Sequence, residues 1–178
     1  MSEDLIRLSK VAPPPTDPAP PPDWSAASAA LGTALPGDYR ELIETYGGGL
    51  FDEHLYVLEP SSSNAAYDLV IWQQERTEGL ELMWADGEPR PAELAGDARL
   101  IVWAATDYGD CVYWLAEPGT SPDEWTVMVE QGHGPGWEHF PMGSVAFLAG
   151  TLTGEVRSEL LAVEDPVETH GFRPITSF

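Results

Sequence analysis

Residues 99–131, RLIVWAATDYGDCVYWLAEPGTSPDEWTVMVEQ, decide the fold class. Three runs stand out within them: RLIVWA (99–104), CVYWLA (111–116) and WTVMVEQ (125–131). Each has strand length and is rich in β-branched and aromatic side chains, which fit a pleated surface better than a helix. The connectors hold Gly, Pro, Asp and Ser, as antiparallel hairpin loops require. An antiparallel meander is the economical topology.

Upstream, DWSAASAALGTALPGDYRELIETYGGGLF (23–51) reads as two helices. Asp23 or Ser25 caps the first, alanines carry it and Gly32 ends it. Pro36 suits the first turn of the second, where a missing N–H costs nothing, and Tyr39, Leu42, Ile43 and Tyr46 form one apolar face. Gly47, Gly48 and Gly49 close that helix, and Leu55–Leu58 is a short strand stopping at Pro60. Ser62 or Ser63 caps a third helix that runs through Tyr67, Val70, Ile71 and Gln74 to Trp84. Downstream of the meander, Trp137–Phe140 is a last short strand, and Ser144 caps a closing helix carrying Val145, Phe147, Leu148 and Leu152. After Gly154, EVRSELL is readable as helix or edge strand.

At the other end, Leu5, Ile6 and Leu8 form the stripe of one short helix. VAPPPTDPAPPP (11–22) then packs seven prolines into a polyproline II spacer, read as a tether for that helix rather than an SH3 or WW ligand. The expected organisation is a short helix plus spacer over 1–22 and one α+β domain over 23–178, an antiparallel meander packed by helices. Removal of residues 1–22 is expected to leave that domain folded.

The 178 residues include 8 Lys+Arg against 30 Asp+Glu, a net charge of −22, with 43% hydrophobic residues and seven tryptophans. That supports a packed core. Lys10 and seven arginines give no cationic footprint for phosphates, which excludes nucleic acid and anionic membrane as expected partners. The lone Cys111 forms no internal disulfide and no thiol pair. No apolar run approaches the roughly 20 residues of a membrane helix. MSEDLIRLSK has acids where a signal peptide carries positive charge, so a cytoplasmic location is expected. The unbound chain is expected to be a monomer. Leu100–Val156 contains eight acids and no Lys or Arg, and Glu41–Glu75 contains seven acids and no Lys or Arg. Such stretches are either solvated surface or a docking face for a cationic partner.

Catalytic constellations are weak. His133 and His139 in HGPGWEH match no standard zinc spacing, and Asp107/Asp110 in TDYGDC look like a turn. GGG at 47–49 is followed by Leu50, Phe51 and an acid, and so does not cradle phosphate. Neither catalysis, metal nor cofactor is expected. The tryptophans and Cys111 sit in apolar runs and read as core.

WSAASAALGTALPGDYRELIETYGGGLFDEHLYVLEP (24–60) resembles the opening signature of the SUKH superfamily, which includes the fungal Smi/Knr cell-wall-synthesis regulator and many bacterial immunity proteins. Trp24, Leu31, Gly32, Leu35, Pro36, Asp38, Tyr39, Tyr46, Gly47, Gly49, Phe51, Leu55 and Pro60 carry the resemblance. LIVWAATDYGDCVYWL, DEWTVMVEQ and SVAFLAGTLTG are similar to the family's second half. The resemblance implies an α+β domain that binds protein partners, toxins among them, and brings no catalytic residues. Combined with the acidity, it gives an expected role: an immunity-type protein that neutralises a cationic toxin domain of nuclease or deaminase type. The candidate contacts are Asp52, Glu53, Glu59, Asp107, Asp110 and Glu130. A regulatory or scaffold protein is the alternative, and a small hydrolase comes third.

Overall fold

The computed structural model describes residues 1–161 and 169–175. Its helices are α1 (Glu3–Val11), α2 (Trp24–Leu31), α3 (Gly37–Tyr46), α4 (Leu69–Ala85) and α5 (Ser144–Thr153). Its strands are β1 (Gly49–Phe51), β2 (Leu55–Val57), β3 (Arg99–Thr106), β4 (Cys111–Ala116), β5 (Thr126–Glu130), β6 (Trp137–Phe140) and β7 (Phe172–Pro174). They form one sheet of order β6-β5-β4-β3-β2-β1-β7, with every pair antiparallel. The expected α+β meander is thus present from β1 to β6. The tail then returns a strand to the far edge.

The centre of the sheet is apolar on both faces, with all six residues of β4 buried. Side chains alternate along a strand, so neighbouring β4 positions meet different layers. Trp114 packs edge-on against Tyr39 of α3 at 4.8 Å and stacks with Trp103 at 5.9 Å, and Trp103 meets Phe147 of α5. Tyr113 instead meets Arg76 of α4. Trp103 is the extra residue of a β-bulge, where the register shifts between Val102 and Ala104.

Two helix termini are capped from a distance. Pro36 precedes α3 as its cap without a side-chain bond, and Asp123 accepts from Gly37 N at 2.6 Å in its place. Gly143, not Ser144, is the cap residue of α5, and Asp38 accepts from both Ser144 Oγ and Val145 N at 3.0 Å. The third expected helix starts later than Ser62 or Ser63 suggest. Asn64 caps a 3-10 turn at Ala65–Tyr67, and Asp68 then accepts from Ile71 N and caps α4. A buried carboxylate at a helix N-terminus wins over a serine because it also meets the helix dipole.

Along β3, β2 pairs only with Ala104–Thr106, which leaves the Leu100–Val102 side without a strand. Gln73 of α4 fills that place. Its Nε2 donates to Leu100 O at 3.0 Å and its Oε1 accepts from Val102 N at 2.8 Å, as a peptide unit would.

Three further sequence expectations change. The packing does not divide at residue 22: Leu5, Leu8 and Ala12 are buried in the common core, and Tyr46 Oη donates to Ala12 O at 2.7 Å. Gly49–Phe51 is a strand, not only the end of a helix. The EVRSELL segment, residues 155–161, is neither helix nor strand; part of the expected domain's tail, 162–168 and 176–178, lies outside the described residues.

Candidate partner-binding surface

The six candidate carboxylates divide by burial. Glu130 is 6% exposed and accepts from Arg76 Nη2 at 2.8 and 2.7 Å and from the Tyr113 hydroxyl, while Arg76 Nε donates to Tyr113 Oη at 2.9 Å. Burial opposes the Arg76 charge, but Tyr113 and Glu130 more than offset it and its pKa is raised. Asp110, also buried, accepts from Thr106 Oγ1 and Gly132 N, both at 2.9 Å. These two expected contacts therefore offer no charge at the surface: desolvating a carboxylate is costly unless it is bonded, and their bonds lie inside the fold. Glu59 is half-buried and accepts from Gly48 N at 2.6 Å.

Asp52, Glu53 and Asp107 are brought together at one corner of the sheet. The β1–β2 connection is a tight turn with φ of 52° at Asp52 and 58° at Glu53, closed by His54 N donating to Phe51 O at 3.1 Å. Two successive left-handed residues make it a type I′ turn, whose twist suits a hairpin. Asp52 is tied down, accepting from Gly171 N at 2.9 Å and meeting His170 Nδ1 at 2.7 Å. His54 Nδ1 bonds Asp107 of the β3–β4 turn, and its ring lies 5.4 Å from Tyr108. Glu53 pairs with Arg173. The side chains of Glu53 and Asp107 stay 65% and 60% exposed, against 13% for Asp52. Those two acids form the accessible part of the corner, beside Tyr108 at 42%.

His54, Tyr108, His170 and Arg173 belong to the same corner and were not expected there. No local pattern announces them, because Asp107 is 53 positions from His54 and Asp52 is 118 from His170.

Most of the chain's few cations are engaged internally. Arg7 pairs with Glu155, Arg76 with Glu130 and Arg173 with Glu53. Arg40 and Arg90 lie over the rings of Trp24 and Trp84, and Arg99 reaches Leu31 O. Cys111 is buried, which pushes its thiol up to about 11 and away from the reactive thiolate. Among the described residues, no group of three or more His, Cys, Asp and Glu is placed to hold a metal, and no helix is long and apolar enough to cross a membrane.

No curated protein and no solved structure matches the chain. A family model described as SMI1-KNR4 cell-wall matches residues 22–141, from just before α2 to just after β6. The match covers more than half of the sequence and all of the β1–β6 meander, so the chain belongs to the SMI1-KNR4 cell-wall family of the SUKH superfamily.

Proposed function

We propose that this chain is an immunity-type protein-binding domain whose acidic corner receives a cationic partner, a toxin domain of nuclease or deaminase type. Family membership supports a protein-interaction role. The observation that carries the cationic assignment is the charge arrangement. Six of the eight Lys and Arg side chains have partners inside the chain, Arg173 on Glu53 among them, and Glu53 and Asp107 still keep most of their side-chain surface exposed beside Tyr108. A field of net −22 steers a basic protein during diffusion, and an aromatic among the rim charges offers it an anchor. Asp52 holds the corner's backbone, Glu59 holds Gly48 at the other end of β1, and Glu130 and Asp110 hold the sheet.

The test uses the partner captured by the full chain from native lysate. Raising ionic strength from roughly 0.05 to 0.5 M shrinks the Debye length severalfold, so the on-rate should fall much more than the off-rate changes. Neutralising Glu53 and Asp107 to Gln and Asn should slow association at low salt in the same way. Salt-independent association would overturn the cationic assignment.

A further inference from the structure

β7 lies on β1 in a seat formed by the family-matched part of the chain. Gly48 and Gly49 supply bare backbone: a Cβ at Gly49 would collide with Arg173 O and the Phe172 ring, and one at Gly48 would lie 2.6 Å from Ile175 Cδ1. The two glycines therefore do more than end α3. They clear room for an added strand, which a side chain at either position would obstruct. Around this ledge, Tyr46 and Phe51 form a socket whose rings lie 5.0 and 4.8 Å from that of Phe172. Glu53 stands at its rim and pairs with Arg173. The backbone ladder continues on both sides, with Asp52 N donating to Gly171 O and Ile175 N to Gly48 O, each at 3.0 Å.

The seat and its occupant differ in origin and in hold. Tyr46, Gly48, Gly49, Phe51 and Glu53 all lie within residues 22–141, whereas β7 lies outside them. β7 is three residues long, each only half-buried, and it forms the edge of the sheet. Edge strands are where an extended segment from another chain adds by backbone pairing, with side-chain pockets setting the choice of sequence.

We propose that the outer edge of β1 is a strand-accepting site for an extended segment of the partner protein that carries an aromatic residue followed by a base. In the free protein the chain's own Phe172 and Arg173 fill this site. The side chains of the resident strand state the specificity: the aromatic enters the Tyr46/Phe51 socket, the base meets Glu53 and an aliphatic residue covers Gly48. The proposal rests on the protein-binding reading above and refines it, since a basic segment suits both the socket rim and the acidic corner. The partner strand and β7 compete for the same backbone groups.

The test is titration of a fluorescent, end-blocked peptide of sequence Thr-His-Gly-Phe-Arg-Pro-Ile into the full-length chain and its F172A variant. Weakening the resident strand should tighten peptide binding about tenfold or more, because an intramolecular competitor is removed. Peptides with Phe→Ala or Arg→Glu should bind about tenfold more weakly than the parent. Saturating peptide should restore exchange protection at the Asp52 amide in F172A. If F172A does not melt cooperatively, R173E, which sets two acids against each other at the rim, serves the same comparison. The proposal is overturned by a folded variant that fails to bind the parent peptide, that binds the Phe→Ala peptide equally well, or that binds no better than wild type. Neither of the exposed corner acids, Glu53 and Asp107, is altered in this titration, and no natural partner enters it. Its failure leaves the salt-dependent association to be judged alone, and failure of that association leaves the peptide result intact.

Discussion

Two parts of the fold lie outside the matched family segment and cover it in different ways. The α1/α5 layer is deeply buried: Leu5, Leu8, Val145, Phe147 and Leu148 are each 1% exposed or less. β7 presents three half-buried residues and is fastened by ladder bonds, one aromatic ring and an exposed ion pair, with Ile175 buried beside it and His170 bonded to Asp52. Hydrophobic burial scales with area and has no close substitute, so the first cover is integral to the core. Backbone pairing at an edge can be made equally by another strand, so the second can be exchanged.

The largest expected effect comes from removing residues 1–22. The buried leucines of α1 each represent about 2–5 kcal/mol by truncation, and together they approach the whole stability of a typical domain. Thermal melting should lose its cooperative transition, in contrast to the tolerance expected from the proline spacer alone. A truncated chain that still melts sharply would place α1 with β7 among the dispensable covers.

Glu130→Ala should cost about 3 kcal/mol in urea unfolding, because it leaves Arg76 and the Tyr113 hydroxyl without their shared acceptor. A loss below about 1 kcal/mol would mean that Arg76 reaches solvent instead.

Alkali should weaken the sheet centre. Burial raises Cys111 from 9.0 to about 11, and burial is also the largest cause raising Tyr39 and Tyr113 above their usual 10.0. The unfolded chain then releases these protons before the folded one does, so stability is full below pH 9 and falls as pH rises through 9–11. The Cys111 share is about 2–3 kcal/mol. Urea midpoints at about pH 8 and about pH 10.5 check this, and Cys111→Ala should flatten the decline between them.

Gly49→Ala should cost about 1–3 kcal/mol by overpacking the ledge, with faster hydrogen exchange at Asp52 and unchanged exchange in β4. Global rather than local loss would show that β7 is as integral as α5. Glu53→Gln should change stability by less than about 0.5 kcal/mol, since its pair with Arg173 is exposed; a larger change in the melting curve would make that pair structural.

How far the sequence disclosed all this follows from the range of each interaction. RLIVWA, CVYWLA and WTVMVEQ identify β3, β4 and β5 because their apolar character is local and independent of partner. The α3 face of Tyr39, Leu42, Ile43 and Tyr46 is likewise complete within ten residues. β1 is concealed because GGGLF has the composition of a helix stop, and only pairing with β2 and β7 makes it a strand. Burial of Asp110 and Glu130 depends on Gly132 and Arg76, which no pattern around either acid indicates. Of the six candidate contacts, the sequence could count charges but could not say which ones the fold itself consumes.

Gln73 is only half-buried, so burial alone would leave its position on α4 open to other polar residues. Its place in the β3 ladder removes that freedom, since it must offer a donor and an acceptor at fixed spacing to Leu100 and Val102. Asn falls one methylene short, Glu brings no donor and Lys no acceptor. The position is thus restricted by reach and polarity as strictly as a buried tryptophan is by volume. Without that amide, two backbone groups in strand register would be left unpaired at a gap in the ladder, where a strand of another chain adds most readily.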